Sequence, residues 1–282
     1  MTEPVTEQRL SDNEFSLLRL APTVLRARDF RLYTKGGRRL VDLWQNGGAA
    51  VLGHTPPSLL REIKNTASRG LYAPFPHFLE SRLCAALSRV FPGRGFRLYA
   101  APPPQLYALT GDIAALWRPF LNPAAPLDVP ENAPPVLIPV VPGIQGWRGN
   151  LPLGLCVLAI NNGFDMAALP PGDFLPPVLL AAAARGVYDL IAATGKAAAT
   201  DRAAPAYRRV DKALANQVSF RWRRQGLYLT PEQPPSKEEW ASLFRRFLDN
   251  GFLLPPVCSH PAILPGILSP GEEAKLAALL SQ

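Results

Sequence analysis

Tyr33-Thr34-Lys35-Gly36-Gly37-Arg38-Arg39-Leu40-Val41-Asp42-Leu43-Trp44 is the stretch on which the fold turns. Residues 30–34 and 39–44 alternate in polarity as strands do, and Lys35-Gly36-Gly37-Arg38 between them is a turn sequence. The pattern predicts a β-hairpin. Gly47, Gly48 and Gly53 follow, where the chain must bend sharply. Thr55-Pro56-Pro57-Ser58 then opens a predicted helix to about residue 69, with Thr55 as its N-cap. A second helix is expected over 76–90, closed by Pro92-Gly93.

Further along, strands are predicted at 96–99, 136–141 and 155–160, with helices at 105–117, 174–193 and 203–216. The segment 122–135 reads as a proline-rich loop, and 142–150 as a glycine-rich one. A second hairpin is expected from 218–222 and 227–230, turned at Arg224-Gln225-Gly226. Ser236-Lys-Glu-Glu239 and Ser269-Pro-Gly-Glu272 are capping boxes that start helices at 237–250 and 270–281. Between those helices, Gly251 is a C-cap glycine before a short strand. Strands and helices are mixed throughout, which places the chain in the α/β or α+β classes.

Composition narrows the function. The 282 residues include 32 prolines, which exclude a long bundle or coiled coil because an interior proline breaks a helix. The net charge is +8, yet the basic residues are scattered, so no nucleic-acid stripe results and nucleic acid is not an expected partner. Arg221-Trp222-Arg223-Arg224 is the densest cluster and reads as a solvated hairpin end. Cys84, Cys156 and Cys258 are far apart, lack zinc spacing and read as buried inert thiols, and no metal site is expected. The N-terminus lacks a signal pattern, and the apolar run around Val178–Ala184 is too short to cross a membrane. A cytoplasmic, reduced protein without a membrane partner is the expectation.

Three stretches resemble the class III aminotransferases, pyridoxal-phosphate enzymes of fold type I that include glutamate-1-semialdehyde aminomutase. The first is the hairpin above with Gly47 and Leu52-Gly-His-Thr-Pro56, similar to the family's "D-G-x-x-Y-L-D" and "L-G-H-x-x-P". The second is Leu151-Pro-Leu-Gly154 before an apolar strand, similar to the "LPLGA" after the catalytic lysine. The third runs through Gly226-Leu-Tyr-Leu229, Gly251-Phe-Leu-Leu254 and Leu268-Ser-Pro-Gly-Glu-Glu273.

The resemblance implies an α/β, fold-type-I-like protein with a reduced large domain and an α+β small domain built from both chain ends. Its expected parts are an N-terminal arm at 1–25, a small-domain-like part at 26–95 plus 205–282, and a large-domain-like part at 96–204. It also implies a homodimer, since the family builds its site at a subunit interface.

The departures bear on chemistry. The stretch 136–150 holds no lysine for a Schiff base, and apolar residues or glycine stand where an aspartate would meet the pyridinium. Ala100-Ala-Pro-Pro-Pro104 replaces the phosphate-binding turn, and proline has no N–H to donate. The expectation is a family member that has lost transamination, carries no cofactor and acts as a dimeric binding or structural protein. The alternative is an active enzyme of the aminotransferase or aminomutase type, or of altered chemistry. It would use pyridoxal phosphate, with Lys196 of Thr194-Gly195-Lys196-Ala197 as the only candidate Schiff-base lysine.

A pocket is expected from Trp44, Gln45 and Asn46 on one side and Trp147, Arg148 and Asn150 on the other, suited to a small carboxylate through bidentate arginine contacts. The competing reading is that Gln45 and Asn46 only satisfy backbone groups in a tight turn. His54, in the "L-G-H" turn, reads as a structural hydrogen-bond partner.

Overall fold

The structure is a computed structural model that describes residues 16–101, 103, 117–122, 125, 127, 136–138, 146–148, 151–161, 167, 169–199 and 207–282. The chain divides into two compact units, residues 1–54 with 203–282 and residues 55–202. The division falls after His54, so residues 55–95, assigned from sequence to the small-domain-like part, belong to the second unit. The reason is their partner. The helices α1 (Pro57–Ala67) and α2 (Leu79–Leu87) both pack on the long helix α3 (Pro177–Ala199).

In the first unit, β1 (Val24–Arg28), β2 (Arg31–Thr34) and β3 (Arg39–Asp42) form an antiparallel meander. Leu32 faces Leu40 in register, and Gly37, at φ 74°, lets Thr34 N–H reach the Arg38 carbonyl at 3.0 Å. The predicted hairpin is therefore present. Leu40, Val41 and Asp42 are all buried, because this strand is covered on both faces.

Helix α5 (Lys237–Asp249) opens on the Ser236/Glu239 capping box and buries Trp240, Leu243, Phe244, Phe247 and Leu248, one apolar stripe at helical spacing. Gly251, at φ 89°, ends it and turns Phe252–Leu253 (β11) parallel to β3. The sheet order is β1-β2-β3-β11. A second sheet pairs β9 (Trp222–Gln225), β10 (Tyr228–Pro231) and β12 (Ala262–Ile263) in the order β12-β10-β9.

The β9–β10 hairpin turns at Gly226-Leu227, later than the sequence suggests, because Gly226 takes the positive φ and Gln225 pairs with Tyr228. Arg223 and Arg224 thus lie in the strand, Trp222 is core, and Arg224 forks onto Asp211 at 2.6 and 3.0 Å. Helix α4 (Arg208–Leu214) packs on α6 (Pro270–Leu280), whose Ser269/Glu272 capping box also forms. The aromatic centre of this unit is Trp222 against Trp240 and Phe247.

In the second unit, β4 (Arg94–Tyr99), β8 (Cys156–Asn161) and β5 (Val136–Ile138) form an antiparallel sheet with β8 central. That position explains why Cys156–Ile160 is a continuous apolar run. Strands β6 (Gly146–Arg148) and β7 (Leu151–Leu153) form a separate hairpin. Helix α1 has Pro56 at its N-cap position with no side-chain cap, so Thr55 does not cap it.

Residues 177–194 are long and apolar enough to cross a membrane by length and composition, which a count of uninterrupted apolar residues misses. Half of that stretch is buried within the fold, where α1 and α2 cover it. Of the thiols, Cys156 is buried while Cys84 and Cys258 are only half-buried. Residues 1–15 of the expected arm, most of the 105–117 helix and most of the 122–135 loop lie outside the described residues.

Candidate functional site

The site is built where β3 ends. Asp42, the last residue of β3, is almost fully buried, and its carboxylate is used from both oxygens. Oδ1 accepts from the backbone N–H of Trp44 at 2.8 Å and of Gln45 at 2.9 Å. Oδ2 meets His54 Nε2 at 2.8 Å. An ionised carboxylate only accepts, so the proton of a neutral His54 sits on Nε2 and Nδ1 carries a lone pair.

Four consecutive residues, Gln45, Asn46, Gly47 and Gly48, have left-handed φ of 49°, 51°, 66° and 101°. Two of these are not glycine, a conformation that costs each of them of order 1 kcal/mol. Asp42 is the group that holds the turn, through the two N–H donors at its entry. A second constraint fixes the exit. Gly53 has φ 95°, and a Cβ there would lie 3.2 Å from the Asp29 backbone. His54 N–H donates to the Asp29 carbonyl at 2.7 Å, which aims the imidazole back at Asp42.

Asp42, Trp44, Asn46 and His54 line a cavity of about 540 Å³ in the first unit. Thr23 adds a hydroxyl, and Leu18, Val24, Leu32 and Leu253 supply apolar wall. The volume is in the range of small-molecule pockets. Trp44 directs its indole Nε1 at His260 Nδ1, 3.4 Å away.

The sequence-selected residues fare differently. Trp44 and Asn46 line this cavity. Gln45 is not among the described lining residues, because its side chain turns into the core, where Nε2 donates to the Ile263 carbonyl at 3.0 Å and Oε1 is buried with no partner among the described residues. Trp147 and Arg148 lie on β6 in the second unit, with only their backbone described, and Asn150 lies outside the described residues. Lys196 sits near the C-terminal end of α3, again described only by its backbone. Asp42 was not singled out from sequence as a site residue, although it stands in the same quoted stretch as Trp44. Its distance of 12 positions from His54 has no helical or strand period to reveal the pairing.

No family model matches the chain. A protein of Treponema pallidum (strain Nichols), described only as uncharacterized, is 29% identical over 280 residues, 88% of this chain and 91% of its own. Another uncharacterized protein, from Borreliella burgdorferi, is 36% identical over 94 residues, 32% of this chain and 35% of its own. Among solved structures, an ornithine aminotransferase of Plasmodium yoelii aligns with a TM-score of 0.63 at 12% identity, over 92% of each chain. An omega-transaminase of Sphaerobacter thermophilus aligns with the same score at 13% identity, over 92% of this chain and 90% of its own.

The fold is aminotransferase-like.

A structure described as a transaminase with PLP bound shares it, with a TM-score of 0.57 at 14% identity over 92% of this chain and 89% of its own. That finding overturns the expectation of a chain without a cofactor. The shared fold is one in which pyridoxal phosphate is seen bound, and the proline substitutions on which that expectation leaned fall at 102 and 104, outside the described residues, and at 103.

Proposed function

We propose that the chain is a homodimeric binding protein that keeps the aminotransferase-like fold and has lost transamination. The state of its lysines supports this reading. A Schiff-base lysine must be desolvated to be nucleophilic near neutral pH. Lys35, Lys64, Lys212, Lys237 and Lys275 are all exposed. The sixth, Lys196, stands some forty residues after Leu151-Pro-Leu-Gly154, whereas the resemblance calls for a lysine just before that stretch. The reading concerns the covalent link and not the ligand. Pyridoxal phosphate is itself a candidate ligand, given the transaminase of like fold that holds it.

The test is incubation with pyridoxal phosphate, borohydride reduction, digestion and mass spectrometry, on the natural chain and on Lys196→Ala. The expected result is no stoichiometric pyridoxyl-lysine in either. A stoichiometric adduct on Lys196 that disappears in the variant overturns the reading in favour of an active enzyme. Light scattering tests the dimer, and a monomer at micromolar concentration removes that part of the proposal.

A further inference from the structure

The strand register of the first unit collects charge that is scattered in the sequence. Residues directly opposite in an antiparallel pair share a face. Arg26 stands opposite Tyr33, and Tyr33 opposite Arg39. Arg28 stands opposite Arg31, and Arg31 opposite Val41. Four arginines and a tyrosine therefore share one face of the β1–β2–β3 meander. The other face carries Leu32 and Leu40 into the core. Asp42, the acidic residue of these strands, stands two positions after Leu40 and so lies on that core face.

The charge on the arginine face is answered only in part. Glu272 takes the fork of Arg31 and approaches Arg39 at 3.4 Å, yet the Arg39 side chain stays 55% exposed. The Arg28 side chain is 68% exposed, with the Asp29 carboxylate 3.8 Å away, and an exposed pair of that kind is worth little. Arg26 lays its guanidinium over the Tyr33 ring, 4.4 Å from the centroid. Like charges directly opposite across a sheet repel, so Arg28 facing Arg31 is a cost that a bound anion would relieve.

We propose that this face binds single-stranded nucleic acid through its phosphates. Guanidinium forks match phosphate oxygens. The Arg26–Tyr33 stack adds a planar group of the kind on which unpaired bases stack. A single strand is favoured over a duplex because a sheet face is broad, whereas the major groove admits a helix or a two-stranded ribbon. A lipid surface asks for apolar groups beside the charge. The exposed Val24 pairs with the buried Thr34 and so lies on the opposite face. This surface lies within the first unit, and neither the homodimer nor the lysine argument above enters it.

The test is fluorescence anisotropy of a labelled single-stranded RNA of about twelve nucleotides, titrated with the full chain. The titration is repeated between about 50 and about 200 mM salt. Saturable binding is expected, with log K falling by about 0.7 per phosphate contact for each tenfold rise in salt. Arg26→Ala combined with Arg28→Ala should make that slope shallower by about 1.4, the share of two contacts, and weaken binding about tenfold or more. Arg221→Ala combined with Arg223→Ala removes the same charge from exposed positions of the same unit and should leave the slope unchanged. If the first double variant fails to fold, Arg28→Glu against Arg223→Glu carries the same comparison, with the larger loss expected at Arg28. Equal losses at the two places, no saturable binding at about 50 mM salt, a duplex of the same sequence bound as tightly, or a preference for anionic phospholipid vesicles over the RNA overturns the proposal.

Discussion

Glu272→Gln separates a charge from a cap, and its effect on stability can be worked from the structure. Glu272 is the third residue of α6, and its side chain closes the capping box by accepting from the Ser269 N–H at 2.9 Å. The same carboxylate takes a fork from Arg31, with Nε at 2.9 Å and Nη2 at 2.6 Å, and Arg39 approaches to 3.4 Å. Burial pushes the Glu272 carboxyl up, but hydrogen bonds from Arg31 and Ser269 and the charge of Arg31 outweigh it and bring the group down to about 2.

Glutamine can serve in a capping box as glutamate does, so the substitution removes charge and leaves the helix start. With an ordinary value of 4.5, the linkage ceiling is about 3.4 kcal/mol at about 1.4 kcal/mol per pH unit. Solvent reaches this pair in part, and screening brings the expected loss to about 2 kcal/mol at pH 7.

The sign is set by a depressed folded value. The stabilisation is present above pH 4.5 and is lost as pH falls toward 2. Urea unfolding followed by tryptophan fluorescence reads it, since Trp222 and Trp240 lie in the same core. The difference between natural chain and variant should fall by more than half by about pH 3. A difference below about 0.5 kcal/mol at pH 7, or one that is flat between neutral and acid pH, refutes the argument. Arg31→Met in the Glu272→Gln background should add little to a loss that either change alone produces.

Two further outcomes are expected. Gly53→Ala should lower the urea-derived stability by about 1–3 kcal/mol, because the new Cβ would sit 3.2 Å from the Asp29 backbone at a φ of 95°. Cys156 should resist a thiol reagent such as DTNB in the native protein, since burial pushes its thiol far up and the side chain is fully enclosed. Peptide mapping should find Cys84 and Cys258 labelled first, and early labelling of Cys156 would contradict its central place in the sheet.

The local architecture was legible wherever short-range rules act alone. Both capping boxes, the Gly251 helix end and the β2–β3 hairpin follow from residues within a few positions of one another, and they form as read. The errors arise where a tertiary partner decides. Thr55 has the right chemistry for an N-cap, but the chain reaches α1 through Pro56 instead. Arg224 and Gln225 look like turn residues, but both pair within β9, and Arg224 forks onto Asp211 on α4. Helices α1 and α2 were grouped with the hairpin by the resemblance, while their packing partner is α3, about a hundred residues later.

The candidate site shows the same division more sharply. The turn glycines advertise a bend, and Trp44 and Asn46 follow as its visible polar and aromatic members. The residue that organises the bend is Asp42, which looks like an ordinary solvent-facing strand position in an alternating pattern. It is buried, and β11, paired parallel with β3, closes the edge of the sheet beside it. That pairing depends on Gly251 ending α5, two hundred residues away in sequence. The buried Asp42–His54 pair therefore exists only once both chain ends have folded together. The left-handed turn and the oriented His54 both depend on that single event. Any ligand that binds beside Asp42 should consequently stabilise the whole first unit, and not the turn alone, by mass action on its folded state.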